Sequence, residues 1–232
     1  MPSCNERLRQ LYEGGWAPFC ERFNRRDFFT EMPTNPLLLC VDERYTRARI
    51  KVMYLGQETN DWEGDFPQGI GHLIATFRDF YLGGACFRYG GQFWNGIARF
   101  ERRLRSRFAD ASVGFVWNNI VKLGKSGAKG TPSGKILALQ REWFSILSKE
   151  IEILRPHIVI FFTGPNYDEF IRKAFPDARL TGHPTRGLRA VAKIASTGLP
   201  DNSIRTYHPH HLFRTGQIDR YLDDVIDWIH VS

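Results

Sequence analysis

A short apolar run that ends on a glycine and then turns polar constrains this chain more than any other feature. Residues 50–55 (IKVMYL) are apolar everywhere except Lys51, which suits a strand covered on both faces. The run stops at Gly56, and Gln57, Glu58, Thr59, Asn60 and Asp61 follow. Glycine there permits backbone angles or a close approach that a side chain would forbid. In open α/β sheets, ligands bind beyond the carboxyl ends of the strands. A buried strand followed at once by glycine and a carboxylate therefore has the layout of a site edge. A polar turn in which Asp61 or Thr59 caps a helix is the plainer alternative.

The rest of the chain repeats that layout. Residues 112–117 (SVGFVW) read as a second strand and run into Asn118 and Asn119. Residues 157–162 (HIVIFF) are almost wholly apolar and so central; residues 203–207 (SIRTY) form the last strand, which ends at His208. Residues 178–181 and 188–194 are weaker strand candidates. Helical periodicity marks 70–82, 97–108, 135–154, 166–175 and 218–229, and an N-terminal helix over 6–26 that is interrupted at Gly14 and Gly15. Residues 61–71 and the glycine- and lysine-rich 124–134 read as loops. The GKS at 124–126 lacks the upstream glycine of a phosphate-binding loop. Strands alternating with helices predict an α/β fold, a three-layer α/β/α sandwich around a central, mainly parallel sheet. One domain is expected over 1–232, with an N-terminal helical segment to about residue 45.

Composition narrows the partners. Lys plus Arg is 32 against 25 Asp plus Glu, a net charge of +7, which favours an anionic partner, nucleic acid ahead of a membrane surface. No apolar run is long enough for a transmembrane helix, and the N-terminus has no apolar signal core. The scattered Cys4, Cys20, Cys40 and Cys86, without a CxxC, read as free thiols of a cytoplasmic protein. A monomer without cofactor or metal is expected.

Three polar clusters follow three strands: Glu58 after the first, Asn118 and Asn119 after the second, and His208 with His210 and His211 after the last. In a parallel sheet these ends share one edge. A carboxylate, an amide and a histidine suit cleavage of a glycosidic bond. The carboxylate steadies a developing oxocarbenium ion or orients water. The amide reads a base edge, and the histidine hydrogen-bonds the oxygen that gains charge as the base departs.

At these residues the sequence resembles the uracil-DNA glycosylase superfamily. GQETND at 56–61 is similar to the family's first motif, best known as GQDPYH, and HPHHL at 208–212 to its second, HPSPL. The Asn118-Asn119 segment is similar to the one that supplies the family's base-reading asparagine. The resemblance implies a DNA partner, Glu58 and His208 as catalytic residues, and Leu212 as the wedge that enters the duplex. It implies base reading by Asn118, with Asn119 next to it, and help from the backbone amide of Gln57. Trp62 and Phe66 are the candidates for stacking on the base. His210 and His211 either contact phosphates or cap a helix, and Lys125 and Arg214 are the neighbouring basic candidates for DNA contact.

The implied activity is that of a monofunctional DNA glycosylase. It flips a pyrimidine and hydrolyses its N-glycosidic bond, in base-excision repair or in defence against modified viral DNA. The chain departs from the family where Asp-Pro-Tyr becomes Glu58-Thr59-Asn60. Asn60 is smaller than the tyrosine that excludes 5-substituents, so hydroxymethylated or glycosylated cytosine is favoured beside uracil. Lys122 and Lys125 leave an amine nucleophile open. Two other readings stand: a binding module of the same fold without chemistry, and a metal-dependent nuclease.

Overall fold

The computed structural model describes residues 2–230. Six strands form one sheet, in the order β2-β1-β3-β6-β5-β4: β1 (Ile50–Asn60), β2 (Val113–Lys125), β3 (Ile158–Phe161), β4 (Arg179–His183), β5 (Val191–Ala195) and β6 (Asn202–Thr206). β2, β1, β3 and β6 run parallel; β5 and β4 are antiparallel additions at the far edge. The helices are α1 (Cys4–Arg22), α2 (Glu43–Thr46), α3 (Ile70–Phe77), α4 (Ala85–Tyr89), α5 (Gly91–Arg107), α6 (Gly134–Trp143), α7 (Leu147–Leu154), α8 (Asp168–Ala174), α9 (Gly187–Ala190), α10 (Pro209–Arg214) and α11 (Ile218–Asp227). The architecture is the expected α/β/α sandwich.

The sheet follows from its apolar runs. Every residue of β3 is buried, as is β2 from Val113 to Gly124, so both carry helices on each face. α5 packs with α10 and α11 on one face, and α1 packs with α6 and α7 on the other. The alternation of β2 divides the layers. Trp117 and Asn119 face the α5 side, where Trp117 stacks on Phe77 and meets Trp94 edge to face. Asn118 faces the α1 and α7 side, where its amide donates to Glu150 at 2.9 Å.

β2 is an edge strand, yet its outer backbone is covered over Lys122–Gly124. The amides of Thr34 and Leu37 donate to the carbonyls of Gly124 and Lys122, at 3.1 and 3.2 Å. The Gln140 side-chain oxygen accepts from the amides of Lys122 and Leu123, at 2.7 and 3.0 Å. Such cover removes a template for pairing with another chain.

Three expectations change. The N-terminal helix is continuous through Gly14, Gly15 and Pro18, because burial of Leu8, Tyr12 and Phe19 along one face outweighs the weak helix propensity of glycine. The helix expected over 135–154 is two helices. It breaks at Phe144, whose ring is drawn into a stack with Phe19 at 4.8 Å. β1 and β2 run on through their polar segments to Asn60 and Lys125, because they pair with each other beyond the apolar run. Thr59 is buried there and donates to the Lys122 carbonyl at 3.2 Å. Among the described residues no helix is long and apolar enough to cross a membrane.

Candidate active site

β1 and β6 flank β3, so their chains leave the carboxyl edge of the sheet two strand spacings apart, about 10 Å. β3 is short; it ends at Phe161 and the chain turns at Gly164, whose φ of +74° suits only glycine without strain. Glu58 lies on one side of this turn and His208 on the other. Both therefore lie at the same carboxyl edge of the sheet.

Gly56 sits opposite Asn119 in the β1–β2 register. A Cβ at Gly56 would lie 2.4 Å from the Asn119 side-chain oxygen and 3.2 Å from the ring of Phe93, so only glycine lets both approach. The Asn119 oxygen accepts from the Trp117 indole at 3.3 Å, which fixes the amide's orientation. Its nitrogen makes no hydrogen bond within 3.5 Å among the described residues and remains a free donor at the sheet edge. Phe93, in the first turn of α5, stacks at 5.3 Å on the ring of His208. The amide, the phenyl ring and the imidazole are thus contiguous.

His208 precedes α10, and its Nδ1 accepts from the amide of His210 at 3.2 Å. That bond leaves the proton of the neutral ring on Nε2, as a donor. Burial, and then the neighbouring His210, lower the imidazole to about 4, so the ring is neutral at ordinary pH. Glu58 is half-buried. Burial pushes its carboxyl up, while the hydrogen bond from the Tyr167 phenol and the nearby Lys125 charge oppose that shift. Tyr167 also contacts the Thr131 hydroxyl at 2.9 Å. The Gln57 side chain is spent on the Thr163 carbonyl at 2.7 Å, which leaves its backbone for any other task.

Several expected residues are placed otherwise. Asn118 is fully buried and its side chain is used up: it donates to Glu150 and accepts from Lys122 Nζ and from the Asn119 amide. Of the two asparagines, only Asn119 keeps a side-chain group without a partner among the described residues. Lys122 is itself buried against Glu150 at 2.7 Å, so it has no path to a substrate. Leu212 is fully buried, on a helix packed against α5 and α11, and is not placed to enter a duplex. Phe66 is buried among Trp16, Phe19 and Phe23, and Trp62 packs on Phe80 and Trp117, so neither ring is open to a base. Asn60 is exposed at the end of β1, across from Lys125. Lys125 is partly buried and lies 3.8 Å from Glu31. His210 and Arg214 are exposed, and His211 packs on Tyr207 at 4.4 Å.

Phe93, Thr131 and Tyr167 belong to the site and were not anticipated. The signal for Tyr167 was present: TGPNY follows the third strand just as GQETN follows the first, and the same edge rule applies to both. Phe93 lies in a glycine- and aromatic-rich stretch with no clear period. A separate cavity of about 70 Å³, lined by Lys122, Gln140, Phe144 and Phe170 among others, holds none of these groups. Among the described residues, no three or more His, Cys, Asp or Glu side chains come together as a metal site. No family model matches the sequence, and no curated protein matches it.

Proposed function

We propose that the chain is a monofunctional DNA glycosylase that hydrolyses the N-glycosidic bond of a flipped pyrimidine. The substrate is uracil or a 5-modified base such as hydroxymethylated or glycosylated cytosine. The observation that carries this reading is the placement of Glu58 and a neutral, donor-bearing His208 at one carboxyl edge of the sheet, either side of β3, with the ring of Phe93 stacked on His208 and the Asn119 side chain meeting Phe93 at Gly56. As the bond to the base breaks, positive charge grows on the sugar and negative charge on the base. A carboxylate on one side and an Nε2–H donor on the other oppose both charges, and a half-buried setting strengthens both effects. Water adds to the anomeric carbon and releases a proton to solvent; the base leaves as an anion held by His208 and takes its proton from solvent. Asn119 and Phe93 give the base an edge to bond and a face to lie on. The net charge of +7 suits a phosphate backbone.

The buried ion pair of Lys122 removes one of the two lysines that could act as an amine nucleophile and leaves Lys125 as the other. Mass spectrometry of free bases tests the reading, on DNA containing uracil, 5-hydroxymethylcytosine or glucosylated cytosine. The expected result is release of one base, reduced about 10²–10⁴-fold in Glu58→Gln and about 10²–10³-fold in His208→Ala. Retained DNA binding without any base release would sink the reading in favour of a binding module. A protein–DNA adduct trapped by borohydride would replace water with a lysine.

A further inference from the structure

We propose that Tyr167 is the positioning residue for Glu58, and that Thr131 orients Tyr167 for that task; the inference rests on the catalytic reading of Glu58. The Tyr167 phenol donates to Glu58 Oε2. A phenol has one proton and an ionised carboxylate has none to give, so the contact between Tyr167 and Thr131 at 2.9 Å must run from the threonine hydroxyl to the tyrosine oxygen. The chain of donors is therefore Thr131 to Tyr167 to Glu58, and each bond polarises the next.

The tyrosine is held from three sides. Gly164 turns the chain into the short helical turn Pro165–Tyr167. The Tyr167 ring packs against Phe170 at 5.2 Å. The next residue, Asp168, accepts two bonds from the buried Arg205, at 2.9 and 3.1 Å. Arg205 lies on β6, in the strand that delivers His208, and it also donates to the carbonyls of Leu188 and Arg189. A single guanidinium thus fixes the base of Tyr167 relative to the His208 strand. Burial alone favours the protonated Glu58, and the phenol bond favours the ionised form that the chemistry needs.

The test is Tyr167→Phe, which keeps the ring contact with Phe170 and removes only the hydroxyl. Losing a bond to the carboxylate raises the carboxyl pKa. The acid limb of the kcat/KM profile should therefore move to higher pH, with kcat down about tenfold or more and KM nearly unchanged. Thr131→Val should shift the limb less, in the same direction, and Thr131→Ser should restore it. Carboxyl NMR of ¹³C-glutamate protein, with the Glu58 signal assigned by Glu58→Gln, reads the same shift without turnover. If the wild type releases no base, the catalytic reading fails, and the Glu58 titration in wild type and Tyr167→Phe still decides whether Tyr167 acts on it. An unchanged Glu58 titration and an unchanged acid limb in Tyr167→Phe would overturn the proposal, as would a loss of thermal stability alone.

Discussion

At the scale of single residues, two adjacent asparagines have separate tasks because a strand points successive side chains to opposite layers. Asn118 bonds a buried ion pair, and Asn119 sets its side-chain oxygen against Gly56 and leaves its amide nitrogen unbonded. Asn118→Ala should cost about 2–3 kcal/mol in urea denaturation, since it leaves Lys122 and Glu150 each short of a partner in the interior. Asn119→Ala should cost less, about 1–2 kcal/mol for the Trp117 indole left without its acceptor, and lower base release about 10²-fold. Equal effects of the two substitutions on stability would contradict this division. The sequence located the pair but not its parity. Both faces of β2 are buried, so no polar–apolar alternation marks which layer each asparagine meets. Glu58 and His208 were legible because each follows a strand candidate and sits in a short segment similar to a known motif. Leu212, Trp62 and Phe66 were misjudged because an apolar side chain beside a motif reads the same whether it is buried or exposed, and here the core claims all three.

At the scale of elements, glycines set how closely the layers approach. α10 carries His208 at its start and packs on α5 at Gly96, where a Cβ would stand 2.6 Å from the Cβ of Pro209. Gly96→Ala gains about 1 kcal/mol of helix propensity and loses about 1–3 kcal/mol to overpacking, so the net is destabilising. It also pushes Pro209, and with it His208, away from Phe93, so base release should drop about tenfold or more. Gly14, inside α1, has nothing within 4 Å of its would-be Cβ, and Gly14→Ala should stabilise by about 0.5–1 kcal/mol with base release unchanged. Thermal melts and base release of the two variants, side by side, check both statements; a stabilised Gly96→Ala would refute the close-contact argument. Periodicity found most helices because their buried stripes are local. It could not foresee the break at Phe144, which depends on Phe19 more than a hundred residues earlier in the chain. It also missed α4 and the first turn of α5, where glycine and aromatic residues obscure the period.

At the scale of the whole molecule, the half-buried site leaves a mark on folding. His208 titrates at about 4 in the fold against 6.5 when free, so between those values the unfolded chain binds the extra proton. Stability then falls as pH falls, by at most about 3 kcal/mol from this group. His211, also lowered by burial, acts in the same sense, whereas Glu58, raised by burial, gains protons on folding and works against it. The informative quantity is therefore the difference between wild type and His208→Asn in urea denaturation from pH 7 to 4. The variant should lose less stability over that window, and parallel curves would rule the argument out. The fold class was legible at this scale because four strand candidates, three of them apolar runs, are spaced by helical stretches and admit few other arrangements. The cover on β2 was not, since residues 33–37 supply it through backbone atoms that any sequence possesses. That cover makes the N-terminal region a structural member rather than a leader to the body of the fold. A chain trimmed to begin at β1 would retain every residue of the candidate site. It would also strip the cover that residues 34–37 give the far end of β2 and open that edge to the first complementary backbone it met, and its failure would appear as self-association rather than as lost chemistry.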